Sequence, residues 1–318
     1  MTTVPPARVL TVGEAMVLLD PTTEGEIKSG MQFSLRVAGA EANFAIAMSR
    51  LGTSATFVSR LGADPLGDAV FETLAAEGVD LSLVRREAAP TGLFFKWRDA
   101  GKSSVIYYRR DSAASHVEPA DVPDAALDDL AHVHLTGITM ALSQSARETV
   151  IDVARRAHAR GIRVTFDPNY RPALWSGPDE AAAAHRPMLG IAGWYLCGLE
   201  EGCALWEATD GDSLFAALEA ADVTRAVVRI GSEGALVNDS GTVTKVAPER
   251  LEVVLDEIGA GDAFAAGFVF GLINGWSATD CARAGNLIAA YALLGTGDWE
   301  TLPHLADVES EIQPRKGM

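Results

Sequence analysis

The chain is expected to fold as an α/β protein, a doubly wound, mostly parallel sheet with helices on both faces and a small β-lid. Short apolar runs alternate with helix-like runs along nearly its whole length. Such alternation sets parallel strands between crossover helices and covers both sheet faces. Aspartate-rich or glycine-rich segments follow the runs that end at Phe166, Ile230 and Ile258. Sheets of this kind gather ligands at the carboxyl ends of their strands. One stretch near residues 90–112 breaks the rhythm with a hairpin pattern.

Val9–Val12 is the first strand, and Phe33–Val37 is a short one. A glycine-led turn at Gly39 then opens an amphipathic helix running through Ala47 to Arg50. Ala55–Leu61 is a strand, and helix-like Gly67–Glu77 ends at Gly78. Gly92–Trp97 and Ser104–Arg109 form a hairpin around Asp99-Ala100-Gly101. With Phe33–Val37 they build the lid, from segments near 14–38 and 90–112. Val133–Leu135 returns to the main sheet. Ser143–Arg160 is a helix, with Ser143 as N-cap and Gly161 just past its end. Ile162–Phe166, Trp194–Leu196 and Ala226–Ile230 are strands, and helices Ala263–Asn274 and Ala278–Leu294 close the fold. No internal repeat or low-complexity linker interrupts it, so residues 1–318 read as a single domain with an inserted lid.

Composition excludes several function classes. The 318 residues are 48% hydrophobic and 22% charged, ordinary for a soluble enzyme with a sizeable core. A net charge of −17 argues against nucleic acid and anionic membranes as partners. An anionic ligand would need a locally positive pocket. Cys197, Cys203 and Cys281 are too few and scattered for a disulfide framework or a zinc site. They suit a reduced, cytoplasmic setting. Met1–Val9 lacks the pattern of a secretory signal, and apolar runs such as Ala263–Ile273 are too short to span a bilayer. His-Glu-x-x-His and Gly-x-Ser-x-Gly do not occur. Gly101-Lys102-Ser103 imitates the tail of a P-loop, but Lys96 stands where that motif needs its first glycine.

Asp256-Glu257-Ile258-Gly259-Ala260-Gly261-Asp262-Ala263-Phe264 is the most informative segment. Gly259 and Gly261 leave room for backbone N–H groups to approach a ligand closely. The start of the following helix has unpaired N–H groups and partial positive charge, which favour a phosphate. A carboxylate beside such a pocket is repelled by the anion, so its presence calls for a reason. Asp262 as the acceptor of a proton from an attacking hydroxyl supplies one; an Asp at a helix start also serves as a cap. At the ordinary carboxylate pKa of about 3.9 Asp262 would be ionised but weakly basic, so its orientation would matter more than its basicity.

Ala38-Gly39-Ala40-Glu41-Ala42-Asn43 is the second informative stretch. Asn is mildly unfavourable inside a helix. Asn43 and the backbone near Gly39 could bind the hydroxyls of a polyol, or Asn43 could cap or pack.

The stretch Gly39–Gly52, the run Gly62-Ala63-Asp64-Pro65-Leu66-Gly67 and the segment Asp256–Gly267 together resemble the signatures of the ribokinase-like sugar kinases, the pfkB family. The resemblance runs in order from about Val9 to about Asp298. It implies a ribokinase-like fold with a β-lid, ATP and Mg²⁺ as cofactors, and an anion hole made by Gly259, Ala260 and Gly261. Asp262 resembles the family's catalytic base. Within the family, Tyr107-Tyr108-Arg109, Asp167-Pro168-Asn169-Tyr170-Arg171-Pro172 and Gly39–Asn43 resemble members acting on a keto-deoxy sugar acid. That implies phosphorylation of the primary hydroxyl of 2-keto-3-deoxygluconate. Arginine suits such a substrate because it grips carboxylates through charge-assisted bonds worth about 1.5–3 kcal/mol each.

The implied substrate contacts are Gly39, Ala40, Glu41, Ala42, Asn43, Phe94, Tyr107, Arg109, Arg171, Asp262 and Asp298. Asn169, Tyr170, Arg171, Arg229, Gly231, Ser232, Gly234 and Asn286 resemble nucleotide contacts, together with Gly259–Gly261. Glu201 is the implied Mg²⁺ residue and Asp256 a monovalent-cation (K⁺) residue. Alternatives are a kinase of neutral sugars such as fructose or ribose, and a sugar-binding regulator without turnover. Ala38, Phe94 and Gly198 depart from the family pattern: they replace a glycine, a lid tyrosine and the Asn of a magnesium motif. Exposed lid edges are expected to pair subunits into a homo-oligomer, a dimer or larger.

Overall fold

The computed structural model describes residues 6–23, 25–99, 102–251, 253–256 and 258–314. Ala100 and Gly101 of the expected hairpin turn, and Glu257, lie outside the described residues.

Among the described residues the strands are β1 (Arg8–Val12), β2 (Met16–Pro21), β3 (Phe33–Ala38), β4 (Ser54–Gly62), β5 (Val84–Glu87), β6 (Leu93–Asp99), β7 (Lys102–Tyr108), β8 (Leu130–Thr136), β9 (Arg163–Asp167), β10 (Trp194–Gly198), β11 (Arg225–Arg229), β12 (Ala235–Asp239) and β13 (Thr242–Val246). The helices are α1 (Ala40–Arg50), α2 (Pro65–Ala76), α3 (Gly137–Met140), α4 (Gln144–Ala159), α5 (Pro178–Leu189), α6 (Leu199–Trp206), α7 (Gly211–Ala220), α8 (Ala260–Ile273), α9 (Ala278–Ala292) and α10 (Leu305–Ile312).

The main sheet runs β13-β12-β11-β10-β9-β8-β1-β4-β5. It is parallel from β11 to β5, and β12 and β13 extend it antiparallel. Alternate strand residues feed opposite cores, as the pleat requires. Val9, Phe57, Leu196 and Val227 pack with α1, α8 and α9 on one face. Leu10, Val133, Phe166, Tyr195 and Val228 pack with α4, α5 and α7 on the other. The doubly wound architecture is therefore as expected.

The antiparallel hairpin β12–β13 and the short edge strand β5 are additions to the expected strand set. The hairpin had a legible signal in Ser240-Gly241, whose φ angles of 56° and 92° supply a tight turn. α8 is more evenly apolar than a surface helix, because all of Ala263–Leu272 is buried between the sheet and α9.

A second sheet runs β3-β2-β6-β7, with β2 and β6 parallel and the outer pairs antiparallel. Met16, Leu18, Ala38 and Phe94 form its inner cluster. Asp64 fastens it to the main sheet. Its Oδ1 accepts from the Gly67 N–H at 2.7 Å and the Thr91 hydroxyl at 3.0 Å, and its Oδ2 accepts from the Thr91 N–H at 2.9 Å. One carboxylate thus caps α2 and pins the chain entering β6.

Replacing Asp64 with Ala should cost about 2 kcal/mol in urea unfolding, the upper range for a lost cap. Asp68→Ala, whose side chain is largely exposed, should stay within about 0.5 kcal/mol. Equal losses for the two variants would remove Asp64 from this role.

Candidate active site

Gly259 precedes α8 with φ of +81°, and a Cβ there would collide with the Asp298 carbonyl. Glycine is required by both conformation and space. Gly261 differs: a Cβ there would meet only ordinary contacts, 3.7 Å from the Arg229 guanidinium carbon. The first N–H groups of α8 lack partners within the helix, and Gly259, Gly261 and Asp262 line the cleft beside it.

Asp262 lies in the first turn of α8. Its Oδ2 accepts from the Asn43 amide at 2.8 Å, and its Oδ1 accepts from the Asn169 amide at 3.3 Å. The Asn43 amide also donates to Asp298 Oδ2 at 3.3 Å. Three elements therefore converge on one carboxylate: α1, the segment after β9, and α8. Gly39 starts α1 with φ of +146°, and a Cβ there would strike the Glu14 carbonyl. Asn169 adopts a left-handed φ of 39° and donates its N–H to Asp167 Oδ1 at 2.9 Å, which turns its amide towards Asp262. Oδ1 of Asn43, of Asn169 and of Asp298 is buried with no hydrogen-bond partner among the described residues. Buried acceptors without donors are costly, and a polyol would supply the donors.

Burial pushes the Asp262 carboxyl up to about 6, against the Asn43 hydrogen bond and the charge of Arg171. Asp262 is therefore a stronger base than the ordinary acidity of a carboxylate implies. Burial, then the charge of Asp262, pushes Asp298 up to about 7. Burial also raises Glu41 to about 7, although the Thr136 and Thr139 hydroxyls donate to it.

A cleft of about 910 Å³ runs from Asp262 along Gly259, Gly261, Arg171, Gly198 and Gly231. Its floor holds a charged triad. Arg229 donates to Asp167 Oδ2 at 2.7 Å and to Glu201 Oε1 at 3.1 Å. Gly198 and Tyr170 N–H groups also donate to Glu201, at 2.6 and 2.9 Å. Both Glu201 oxygens thus accept from protein donors. Among the described residues no cluster of three or more His, Cys, Asp or Glu forms a metal cage. Glycine suits Gly234, where φ is +96° and a Cβ would strike the Val246 carbonyl. Ser232 sits in the exposed turn after β11.

Several implied contacts stand elsewhere. Asn286 donates to the Ala247 carbonyl at 2.8 Å and is absent from the cleft wall, so it ties α9 to the segment after β13. Arg109 is buried and paired with Glu14 at 2.5 Å, with its guanidinium over the Tyr107 ring at 5.6 Å. Glu14 matches its charge, while its Nε is buried with no hydrogen-bond partner among the described residues. Phe94 packs on the inner face of the second sheet against Tyr107, ring centres 5.2 Å apart. Arg171 remains exposed at the cleft, near enough to draw Asp262 towards its ionised form. Of Ala40, Glu41 and Ala42, the last two are buried, and Glu41 points to the end of β8. At Asp256, the expected place for a monovalent cation, the Lys96 ammonium forms the ion pair. Glu14 and Lys96 escaped the sequence reading because their partners lie 95 and 160 residues away.

A family model for pfkB family carbohydrate kinases matches residues 6–305. A 2-dehydro-3-deoxygluconokinase of Bacillus subtilis is 33% identical over 299 residues, 92% of each chain. Its namesake from Thermoproteus tenax is 36% identical over 321 residues, covering 96% of this chain and 94% of its own. The crystal structure of a PfkB protein from Polaromonas sp. JS666 superposes with a TM-score of 0.86 and 34% identity, over 96% of this chain and 99% of that one.

Because Gly261 has room for a methyl group, its role can be tested without unfolding the protein. Gly261→Ala should leave the melting temperature unchanged or raise it slightly, as Ala replaces Gly inside a helix at a gain of about 0.5–1 kcal/mol. ATP-dependent turnover should nevertheless fall. A variant that keeps full turnover would show that no ligand approaches the backbone there.

Proposed function

The chain belongs to the pfkB family of carbohydrate kinases, and we propose that it transfers the terminal phosphoryl group of ATP to the primary hydroxyl of 2-keto-3-deoxygluconate, giving the 6-phosphate. The observation that carries this reading is the Asp262 carboxylate, held by two amides in the anion-binding first turn of α8. Both curated relatives described above are kinases of this keto-deoxy acid, which supports the choice of substrate.

Each residue has a stated task. Asp262 orients the hydroxyl and accepts its proton. The N–H groups of Gly259, Ala260 and Gly261 hold the charge that develops on the phosphoryl oxygens. The unpaired oxygens of Asn43, Asn169 and Asp298 accept hydrogen bonds from the sugar. Burial and the charge of Asp262 favour a proton on Asp298. Arg171 meets the substrate carboxylate or the phosphates at the cleft mouth. ATP fits the glycine-walled cleft, where it supplies the phosphoryl group. Mg²⁺ characteristically keeps several waters and binds through phosphates, which suits a site offering no protein cage.

The second sheet is read as the lid of a single kinase domain, excluding water over the site. Its outer face carries Leu35, Ile106 and Tyr108, exposed at 48%, 43% and 60%. A second copy covering that face gives a homodimer, and a monomer in sedimentation velocity at micromolar concentration would refute it. Three free cysteines suit the cytoplasm.

One observation favours a second reading: the neutralisation of Arg109 by Glu14 leaves fewer charges for an acid sugar. Coupled ADP release with 2-keto-3-deoxygluconate, its galactose-derived epimer, fructose and ribose decides between them. Preference for fructose or ribose defeats the acid-sugar assignment.

Asp262→Asn should lower turnover about 10²–10⁴-fold. Its melting temperature at pH 8 should not fall. A carboxyl raised in the folded state binds its proton more tightly there, so ionisation above the unfolded pKa favours the unfolded chain. Removing that carboxyl removes the penalty. In the wild type, kcat/KM should fall as pH drops through about 6, where Asp262 takes up a proton. A flat profile from pH 5 to 8 would exclude Asp262 as the base.

A further inference from the structure

Glu14 and Arg109 form a buried charge pair at the seam between the two sheets. Glu14 is 2% exposed and Arg109 8%. Glu14 lies between β1 and β2, where the chain leaves the main sheet for the second one. Its carbonyl packs against Gly39, where a Cβ would strike it. The Gly39 carbonyl in turn accepts from the Asn43 N–H at 2.7 Å. A Cβ at Gly92, just before β6, would lie 2.6 Å from Glu14 Oε1. The Ser112 hydroxyl donates to that oxygen at 2.5 Å, and Arg109 Nη2 lies 2.5 Å from Oε2. One carboxylate therefore meets the start of α1 and both ends of the β6–β7 hairpin. Arg109 Nε is buried with no hydrogen-bond partner among the described residues. The guanidinium has a donor to spare for a ligand, and Glu14 decides what net charge comes with it.

We propose that Glu14 is a specificity-determining residue: by matching the charge of Arg109 it sets the charge that the sugar meets, so that an acid sugar is held by Arg171 and let go after transfer. The inference rests on the kinase reading and deepens it. Glu14 is a positioning residue, acting on the substrate only through Arg109. A guanidinium enclosed by protein and deprived of its carboxylate would attract a substrate carboxylate strongly, because little water screens it. It would attract the product as well, since transfer to the primary hydroxyl leaves the carboxylate in place. Binding strengthened alike along the reaction lowers KM without raising kcat.

Four enzymes close a double-mutant cycle: the wild type, Glu14→Gln, Arg109→Gln and the double variant. Gln keeps a hydrogen-bonding amide and removes the charge, so the pair is neutral, positive, negative and neutral in turn. KM for 2-keto-3-deoxygluconate, read by coupled ADP release, should follow that order. Glu14→Gln should lower it about 10-fold and Arg109→Gln raise it about 10-fold, the scale of one poorly screened charge. The double variant should return to within about threefold of the wild type. Glu14→Gln should also tighten inhibition by the 6-phosphate product, with no rise in kcat. A merely structural role would raise KM in both single variants and again in the double. A KM that rises in Glu14→Gln, or a double variant as poor as Arg109→Gln, would overturn the proposal; the latter would show that Arg109 grips the carboxylate itself. A buried ion pair replaced by neutral groups is often tolerated where a broken one is not. Should a single variant fail to fold by circular dichroism, the double variant therefore still decides, a KM more than about threefold above the wild type counting against the proposal. A wild type that releases no ADP with the keto-deoxy acid sinks the proposed function, and this inference with it. An active wild type whose cycle fails to close sinks this inference alone.

Discussion

The hydrogen bonds that hold Asp262 are the constraint on which the rest of the site depends. Asn43 reaches it from α1 and Asn169 from the end of β9. A carboxylate at a helix start could rotate freely or fold back as a cap. Two amides on opposite oxygens prevent both. They also require three segments, distant in sequence, to meet within hydrogen-bond reach. The conformations of Gly39, Asn169 and Gly259, all at positive φ, are what bring them there. Each is sparsely populated for an ordinary residue and is held by the packed elements on either side.

Charge compensation is the second theme. The chain carries a formal charge of −17, yet buries many of its carboxylates around the cleft. Most have a partner within the protein. Glu14 has Arg109 and Ser112, Asp167 and Glu201 share Arg229, and Asp256 has Lys96. Glu41 has two hydroxyl donors. Asp262 and Asp298 share an amide instead of a cation, and burial raises their proton affinities despite it. The proposed base, Asp262, thus lies among buried carboxylates most of which have donors or cations of their own.

Local features were legible in the sequence, and remote pairings were not. Alternating apolar runs gave the parallel sheet, because burial on both faces leaves a pattern that one strand carries by itself. The cap at Ser143 and the stop at Gly161 were readable for the same reason. Gly259–Asp262 was readable because its glycines and carboxylate are contiguous. Arg109, Asn286, Glu201 and Asp256 were assigned by resemblance, and each proved to be engaged with a protein partner. Those partners are chosen by the tertiary fold, through side chains on other strands. Spacing within a segment carries no trace of them. The weakened acidity of Asp262 was hidden likewise, since it arises from enclosure by several segments at once.

Gly259 packs against the Asp298 carbonyl, and the residues beyond it are stitched to the opposite end of the chain. Trp299 donates to the Val37 carbonyl at 2.7 Å, and Arg50 donates to the Leu302 carbonyl at 2.7 Å. During synthesis the ribosome delivers Asn43 long before these late residues. The reactive centre therefore stays incomplete on the nascent polypeptide and closes only after the stretch around Asp298 has left the exit tunnel. A half-made chain is spared from consuming nucleotide.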